Sequence, residues 1–302
     1  MDELMGVSGH LRKMATTHQP ASDGPNVHYQ LRLDDQQWSL MSLLGQSIQL
    51  IFSGQIQCIH CGRATRKSFS QGYCYPCFKS LAQCDSCIVK PETCHYHLGT
   101  CREPQWGRDH CFQPHVVYLA NSSGLKVGIT RGTQVPTRWM DQGASAALPV
   151  LQVPDRLASG QAEMTFKDSV NDRTAWQAML KNQVPDLSLE EERDRLLAEY
   201  HDRLSASLGT APQVLIESVR HFHYPVLEYP TKVKSLNPEK SPVIEGTLMG
   251  IKGQYLILDT GVINLRKFGG YDVTLLADAL TETDDETASL SISASSGQTS
   301  LF

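Results

Sequence analysis

No apolar run in the 302 residues is long enough to cross a bilayer. The opening stretch MDELMGVSGHLRKMATTHQP lacks the apolar segment of a secretory leader, so no membrane association and a cytoplasmic location are expected. Cysteine is missing from residues 1–57 and 112–302, because all nine fall between Cys58 and Cys111. In a reducing compartment that clustering argues for metal ligation rather than disulfides. There is no Ser-His-Asp arrangement, no dinucleotide-binding fingerprint and no internal repeat. GIKGQYL places Lys252 between glycines but lacks the length and following helix of a phosphate-binding loop, so it reads as a tight β-turn.

The net charge of −5 is unevenly spread. From Glu282 onward the chain holds four acids and neither Lys nor Arg. Between Gly54 and Met140 ten Lys/Arg stand against four Asp/Glu. A local basic excess of that size is the footprint of a phosphate-binding surface.

Residues 1–25 are polar and aperiodic and are expected to be disordered. VHYQLRL and SIQLIFSGQIQCI, which supply the strands of the segment 26–57, alternate apolar and polar residues as strands do. HVVYLANSSGLKVGIT reads as a β-hairpin turning at Ser-Ser-Gly. TRWMDQGASAA, ASGQAEMTFKDSV and TAWQAMLKNQ read as helices, with Trp139, Trp176 and Tyr255 as core aromatics. SLEEERDRLLAEYHDRLSASL is a further helix. Ser188 caps it with Glu191 three residues on, and Leu189, Leu196, Leu197, Tyr200 and Leu204 form its apolar stripe. His221 and His223 alternate on a strand face turned to solvent. Residues 224–280 are strand-rich, with glycines at the turns, and suggest a small barrel-like domain that the strands of 26–57 would complete. The acidic, Ser/Thr-rich segment 281–302 is expected to be disordered. The fold class is therefore α+β. Its parts are a zinc region at 58–113, a small α/β module at 114–181, a helical segment at 182–223 and the β-rich domain.

CIHCGRATRKSFSQGYCYPC carries Cys58, Cys61, Cys74 and Cys77 as C-x2-C-x12-C-x2-C. Two close thiolate pairs supply four soft ligands for a tetrahedral ion, the pattern of a structural zinc site. Cys84, Cys87, Cys94, Cys101 and Cys111 offer five candidates for a second zinc. The shorter loops favour Cys84, Cys87, Cys94 and Cys101, with Cys111 as the alternative. Four thiolates leave no position open for substrate, so both sites would be structural. Arg63, Arg66, Lys67 and Lys79 are interleaved with Phe69, Tyr73, Tyr75 and Phe78. That mixture suits either nucleic-acid stacking or the small core of a zinc ribbon.

HVVYLANSSGLKVGITRGTQVPTRWMDQGA resembles the GIY-YIG endonuclease superfamily. There a strand Tyr faces a hairpin partner reading Tyr/Lys-Ile/Val-Gly, a helix with an Arg follows, and a later helix carries a Glu. Tyr118, Lys126, Gly128, Arg138 and Glu163 occupy these positions, and the resemblance covers about Val116 to Leu180. It implies phosphodiester hydrolysis with magnesium held by Glu163. Tyr118 would orient or deprotonate the water, and Arg138 with Lys126 or Arg131 would hold the phosphate. Lys126 replaces the second motif Tyr, the gap from Gly128 to Arg138 is long and contains Pro136, and Asn171 is the candidate for a downstream Asn. From the Cys cluster through GIKGQYL the chain is also similar to a bacterial domain-of-unknown-function family, which carries no activity over. Finally, Gln298, Leu301 and Phe302 resemble the pentapeptide by which bacterial proteins dock on the replication sliding clamp. A flexible tether would deliver an apolar pair to a preformed groove.

The expected function is that of a zinc-containing nucleic-acid-binding protein, on DNA rather than RNA, acting as a metal-dependent endonuclease recruited to the clamp. A non-catalytic adaptor of the same fold, or a zinc protein contacting only proteins, would share most of these features.

Overall fold

The computed structural model describes residues 5–19, 23–170, 173–278 and 280. The chain opens with β1 (Met5–His10), β2 (Ala15–His18), β3 (Val27–Leu33), β4 (Gln36–Ser39) and β5 (Ser47–Ile56). The Cys-rich segment contains two helices, α1 (Tyr75–Ser80) and α2 (Pro104–Cys111), joined by single 3-10 turns. Next come β6 (His115–Asn121), β7 (Leu125–Arg131), α3 (Thr137–Asp141), β8 (Ala146–Val153), α4 (Arg156–Phe166), α5 (Trp176–Leu180) and α6 (Leu189–Leu208). The chain closes with β9 (Gln213–Val214), β10 (Arg220–His221), β11 (Val243–Lys252), β12 (Tyr255–Leu258), β13 (Gly261–Asn264) and β14 (Tyr271–Ala277).

The architecture is mixed α/β, with many strands and few helices, in three sheets. The largest has the order β1-β14-β5-β11-β12-β13. β5 lies between β14 and β11, opposing Thr274 and Val243 at Ile51, so the chain leaves this sheet after β5 and rejoins it some 190 residues later. The sheet is open, with β1 and β13 at its edges, so the expected barrel does not close. Part of the stretch 1–25, expected to be disordered, is instead ordered. Met5–His10 pairs with β14 over six register positions, and Leu11 and Met14 are fully buried. The anchor of that strand lies more than 260 residues away, beyond the reach of any local period.

The second sheet has the order β10-β8-β6-β7, with β9 on β8. β6 is central and every residue in it is buried, as a continuous apolar run predicts. Its two faces serve two cores. Val117 and Leu119 pack toward α4 and α6, whereas Val116, Tyr118 and Ala120 join the main core. On α6 the stripe Leu189, Leu196, Tyr200 and Leu204 is buried against the first of these cores. Each buried leucine there contributes about 2 kcal/mol of transfer free energy. Ser188 caps the helix, its Oγ accepting from the Glu191 N–H at 3.1 Å.

The helix expected over TRWMDQGASAA stops at Asp141. Gly143 turns the chain at φ +68°, and Ala146 and Ala147 enter β8 beside β6. Pairing with a buried strand outweighs the helix propensity of the alanines. Trp139 is fully buried as expected, but Trp176 is 36% exposed and stacks flat on the half-buried Tyr255. The segment 182–223 is helical only through α6, after which β9 and β10 join the second sheet. His221 and His223 are exposed.

Candidate metal centre and cation-lined cleft

Cys58 follows β5, Cys74 caps α1 and Cys77 lies one turn into it, so the two C-x2-C pairs sit on separate turns. The four sulfurs of Cys58, Cys61, Cys74 and Cys77 lie within 4.8 Å of one another, and only Cys61 is exposed. Their protonation is pulled in opposite directions. Burial alone would raise the Cys58 thiol, but the backbone N–H groups of Cys74, Cys61 and His60 outweigh it and hold the thiol at about 6. Burial, then hydrogen bonds to Cys74, Cys61 and Cys58, push Cys77 well up. Four soft donors around one point fit a structural zinc ion, which would take all four as thiolates and leave no coordination position for substrate. The interleaved aromatics serve mostly as local packing. Phe69 stacks with Phe78 and meets Tyr75 at a tilt, and Tyr73 and Phe78 pack on the cysteine cluster. Only Tyr75 among them is exposed, at 56%.

The C-x2-C pair of Cys84 and Cys87 is split. Cys84 is buried with Cys58, Cys74 and Cys77, whereas Cys87, Cys94, Cys101 and Cys111 line a separate small cavity.

Beside the zinc region the β6–β7 hairpin forms one wall of a cleft of about 710 Å³. Tyr118 opposes Gly128 across the hairpin. A Cβ on Gly128 would stand 2.6 Å from Tyr118 Cζ and Oη, so only glycine lets the ring lie over β7. On the other side β6 meets β8 with a register shift at Val117/Tyr118, where Pro149 faces Tyr118. Proline has no N–H for the ladder, and a bulge of this kind re-aims a side chain. The Tyr118 phenol donates to Gln142 Oε1 at 3.0 Å and lies in the field of Arg138. Burial raises its pKa, the Arg138 charge opposes that, and Glu163 adds to it. The phenol is held above its ordinary value.

Tyr118, Lys126, Arg138 and Glu163 all line this cleft. They come from β6, β7, α3 and α4. Lys126 Nζ donates to Gln142 Oε1 at 2.7 Å and to Thr174 Oγ1 at 3.2 Å, so its amine braces the wall. Glu163 pairs with Lys167 at 3.6 Å on its own helix. Four further cations reach the cleft, two of them from outside these four elements. Arg12 and Lys13 follow β1, Arg131 ends β7, and Arg156 opens α4. Arg266, on the turn after β13, and Lys167 bring the total to eight Lys/Arg against the carboxylates of Asp141 and Glu163. Asp141 is already engaged, paired with Lys13 and accepting from Gln254 Nε2 at 2.9 Å. Burial lowers the pKa of Arg266, and the nearby Arg138 lowers it further. Arg156 is lowered first by burial, with Cys111 and Cys87 opposing and Arg138 and Arg131 adding to it. Cations crowded enough to repel one another and partly desolvated make a site suited to a polyanion.

Sequence reasoning missed Arg12, Lys13, Gln142, Arg156 and Arg266, none of which sits in a motif. The turn expected at GIKGQYL is present, with Gly253 at φ +62°. Lys252 is fully buried there, donates to Asn182 Oδ1 at 2.8 Å, and lies over the rings of Tyr224 and Tyr229. Asn171, Gln298, Leu301 and Phe302 lie outside the described residues. Among the described residues no helix is long and apolar enough to cross a membrane.

Fold and site together define a mixed α/β protein with a four-cysteine cluster suited to zinc and a cation-lined cleft beside it. The chain belongs to the family described as "Protein of unknown function (DUF2797)", whose model matches residues 45–273. No curated protein and no solved structure is significantly similar to it.

Proposed function

We propose that the chain is a zinc-containing nucleic-acid-binding protein that takes DNA into the cation-lined cleft and hydrolyses a phosphodiester there with a divalent cation. One observation carries this reading. Tyr118, Arg138 and Glu163, the residues that the resemblance to GIY-YIG endonucleases singles out, lie on three elements and meet in one strongly basic cleft.

The donors fit magnesium. Glu163 offers a hard carboxylate at the cleft wall, and a single protein carboxylate with waters and substrate oxygens is a common magnesium arrangement. Bound there, the ion would supply Lewis acidity toward the phosphoryl oxygen. Arg138, with Arg131 and Arg266, would bind the phosphate oxygens and stabilise charge that grows in the transition state. The raised pKa of Tyr118 keeps its phenol protonated, so it orients the attacking water rather than taking its proton. Gln142 fixes the phenol's direction from behind.

A non-catalytic adaptor is the second reading. Tyr118 is fully buried and already satisfied by Gln142, as a purely structural tyrosine would be. In either reading the acidic tail would dock Gln298, Leu301 and Phe302 on the replication sliding clamp. The deciding experiment is a magnesium-dependent cleavage assay of the full chain on branched, nicked and single-stranded DNA. Cleavage lost in Glu163→Ala and Arg138→Ala supports the hydrolase, and activity indifferent to both removes this site. Salt-sensitive binding without turnover selects the adaptor. Equal retention on purified clamp with and without residues 298–302 removes the docking reading.

A further inference from the structure

Residues 85–113 pose a physical problem that the first metal site does not solve. The segment holds α2 and a few single 3-10 turns, and none of its side chains belongs to an apolar core cluster. Val89, Leu98 and Phe112 are 83%, 67% and 49% exposed. So long a stretch with neither ladder nor core needs a covalent or coordinative staple to hold one shape.

The candidates for that staple are the sulfurs that surround one cavity. Cys87 lies on the turn Ser86–Ile88, Cys94 follows the turn Pro91–Thr93, Cys101 packs under α2 and Cys111 ends that helix. The Cys101 sulfur stands 3.4 Å from where a Cβ on Gly107 would be. All four cysteines line one cavity of about 20 Å³. Among the described residues their sulfurs do not form a set within 4.8 Å of one another as the first cluster does, so an ion would have to draw them together. Cys84 faces the other cluster.

We propose that Cys87, Cys94, Cys101 and Cys111 hold a second zinc ion, with Cys84 outside both ligand sets. Binding releases the four thiol protons to solvent and leaves a site of net charge −2. Arg156 lies in the field of Cys111 and Cys87 and offsets part of that charge. Asp85, Cys87 and His95 also converge and form a competing ligand set. Asp85 is already committed, however, to Arg102 Nε at 3.0 Å and the Ser86 N–H at 2.6 Å.

The site also has a mechanical consequence. The loop between the first two ligands, residues 88–93, is the seat of α4. Arg156 Nη2 donates to the Ile88 carbonyl at 2.5 Å. Gly160 lies so close to this loop that a Cβ there would meet the Glu92 nitrogen at 2.5 Å. α4 carries Arg156 and Glu163 into the cleft, so the second zinc positions that wall without touching anything bound there.

Zinc per chain, measured by mass spectrometry of the native full-length protein, tests this independently of any nuclease activity. Two ions are expected in the wild type, Cys84→Ser and His95→Asn, and one in Cys94→Ser or Cys111→Ser. One ion in the wild type, or a loss in Cys84→Ser or His95→Asn, would overturn the assignment. Should the ligand variants not fold, X-ray absorption of the wild type still decides. Four sulfurs per zinc, averaged over two ions, is expected, and a mixed sulfur and nitrogen/oxygen shell refutes the set.

Discussion

Replacing Gly128 by Ala tests the placement of Tyr118, on which the cleft wall depends. The new methyl would stand 2.6 Å from Tyr118 Cζ and Oη and 3.0 Å from Cε2. Tyr118 cannot swing away, because it is fully buried and packs edge-on against Trp139 at 5.7 Å. Overpacking of this kind costs about 1–3 kcal/mol. Displacing the ring also endangers the hydrogen bond to Gln142, worth about 1 kcal/mol. Alanine returns about 0.5–1 kcal/mol by restricting the unfolded chain. The net loss is then about 2 kcal/mol, which lowers the melting temperature of a chain of 302 residues by about 3 °C. Scanning calorimetry reads the shift directly. Gly132→Ala is the control, since its Cβ would meet only the Pro114 carbonyl at an ordinary 3.6 Å. In a Tyr118→Leu background, which lacks Cζ and Oη, the cost of Gly128→Ala should largely vanish. An unchanged melting temperature in Gly128→Ala, or the same loss in both backgrounds, would refute the hairpin geometry described above.

Burial lowers the Lys252 amine to about 8, against about 10.4 in an unfolded chain. Between those values the unfolded chain holds a proton that the folded chain has released, so stability rises with pH there and the full cost, about 3 kcal/mol, is present below. The melting temperature of the wild type relative to Lys252→Met should therefore climb from pH 7.5 to 10, and a flat difference would refute the burial argument. Arg266→Ala should weaken binding to DNA of any sequence and reduce the slope of log affinity against log salt by about one, as fluorescence anisotropy would show. Arg203→Ala, outside the cleft lining and paired with Asp168 on the exposed surface, should change neither.

Much of the local structure was legible. The hairpin His115–Arg131 follows from two apolar runs around Ser-Ser-Gly, and α6 from its stripe and its Ser188 cap. The Cys58–Cys77 cluster follows from spacing, because two residues between cysteines put both sulfurs on one turn. What failed was everything that depends on distant partners. Met5–His10 looks aperiodic because it is an edge strand with a single laddered side, supplied by β14. Cys84 and Cys87 look like a pair, yet they face different clusters, since the turn at Asp85 sends them apart.

The sequence by itself determined which short segments turn, pair or coil and which cysteines share a turn, because spacing along the backbone imposes these directly. Only the tertiary structure decided that β5 joins a sheet with β1 and β14. The same holds for Arg12 and Arg266 meeting Arg138 from opposite ends of the chain, and for Lys252 being buried rather than presented at a turn. These outcomes are set by which surfaces can be desolvated together, and no local pattern of residues encodes that.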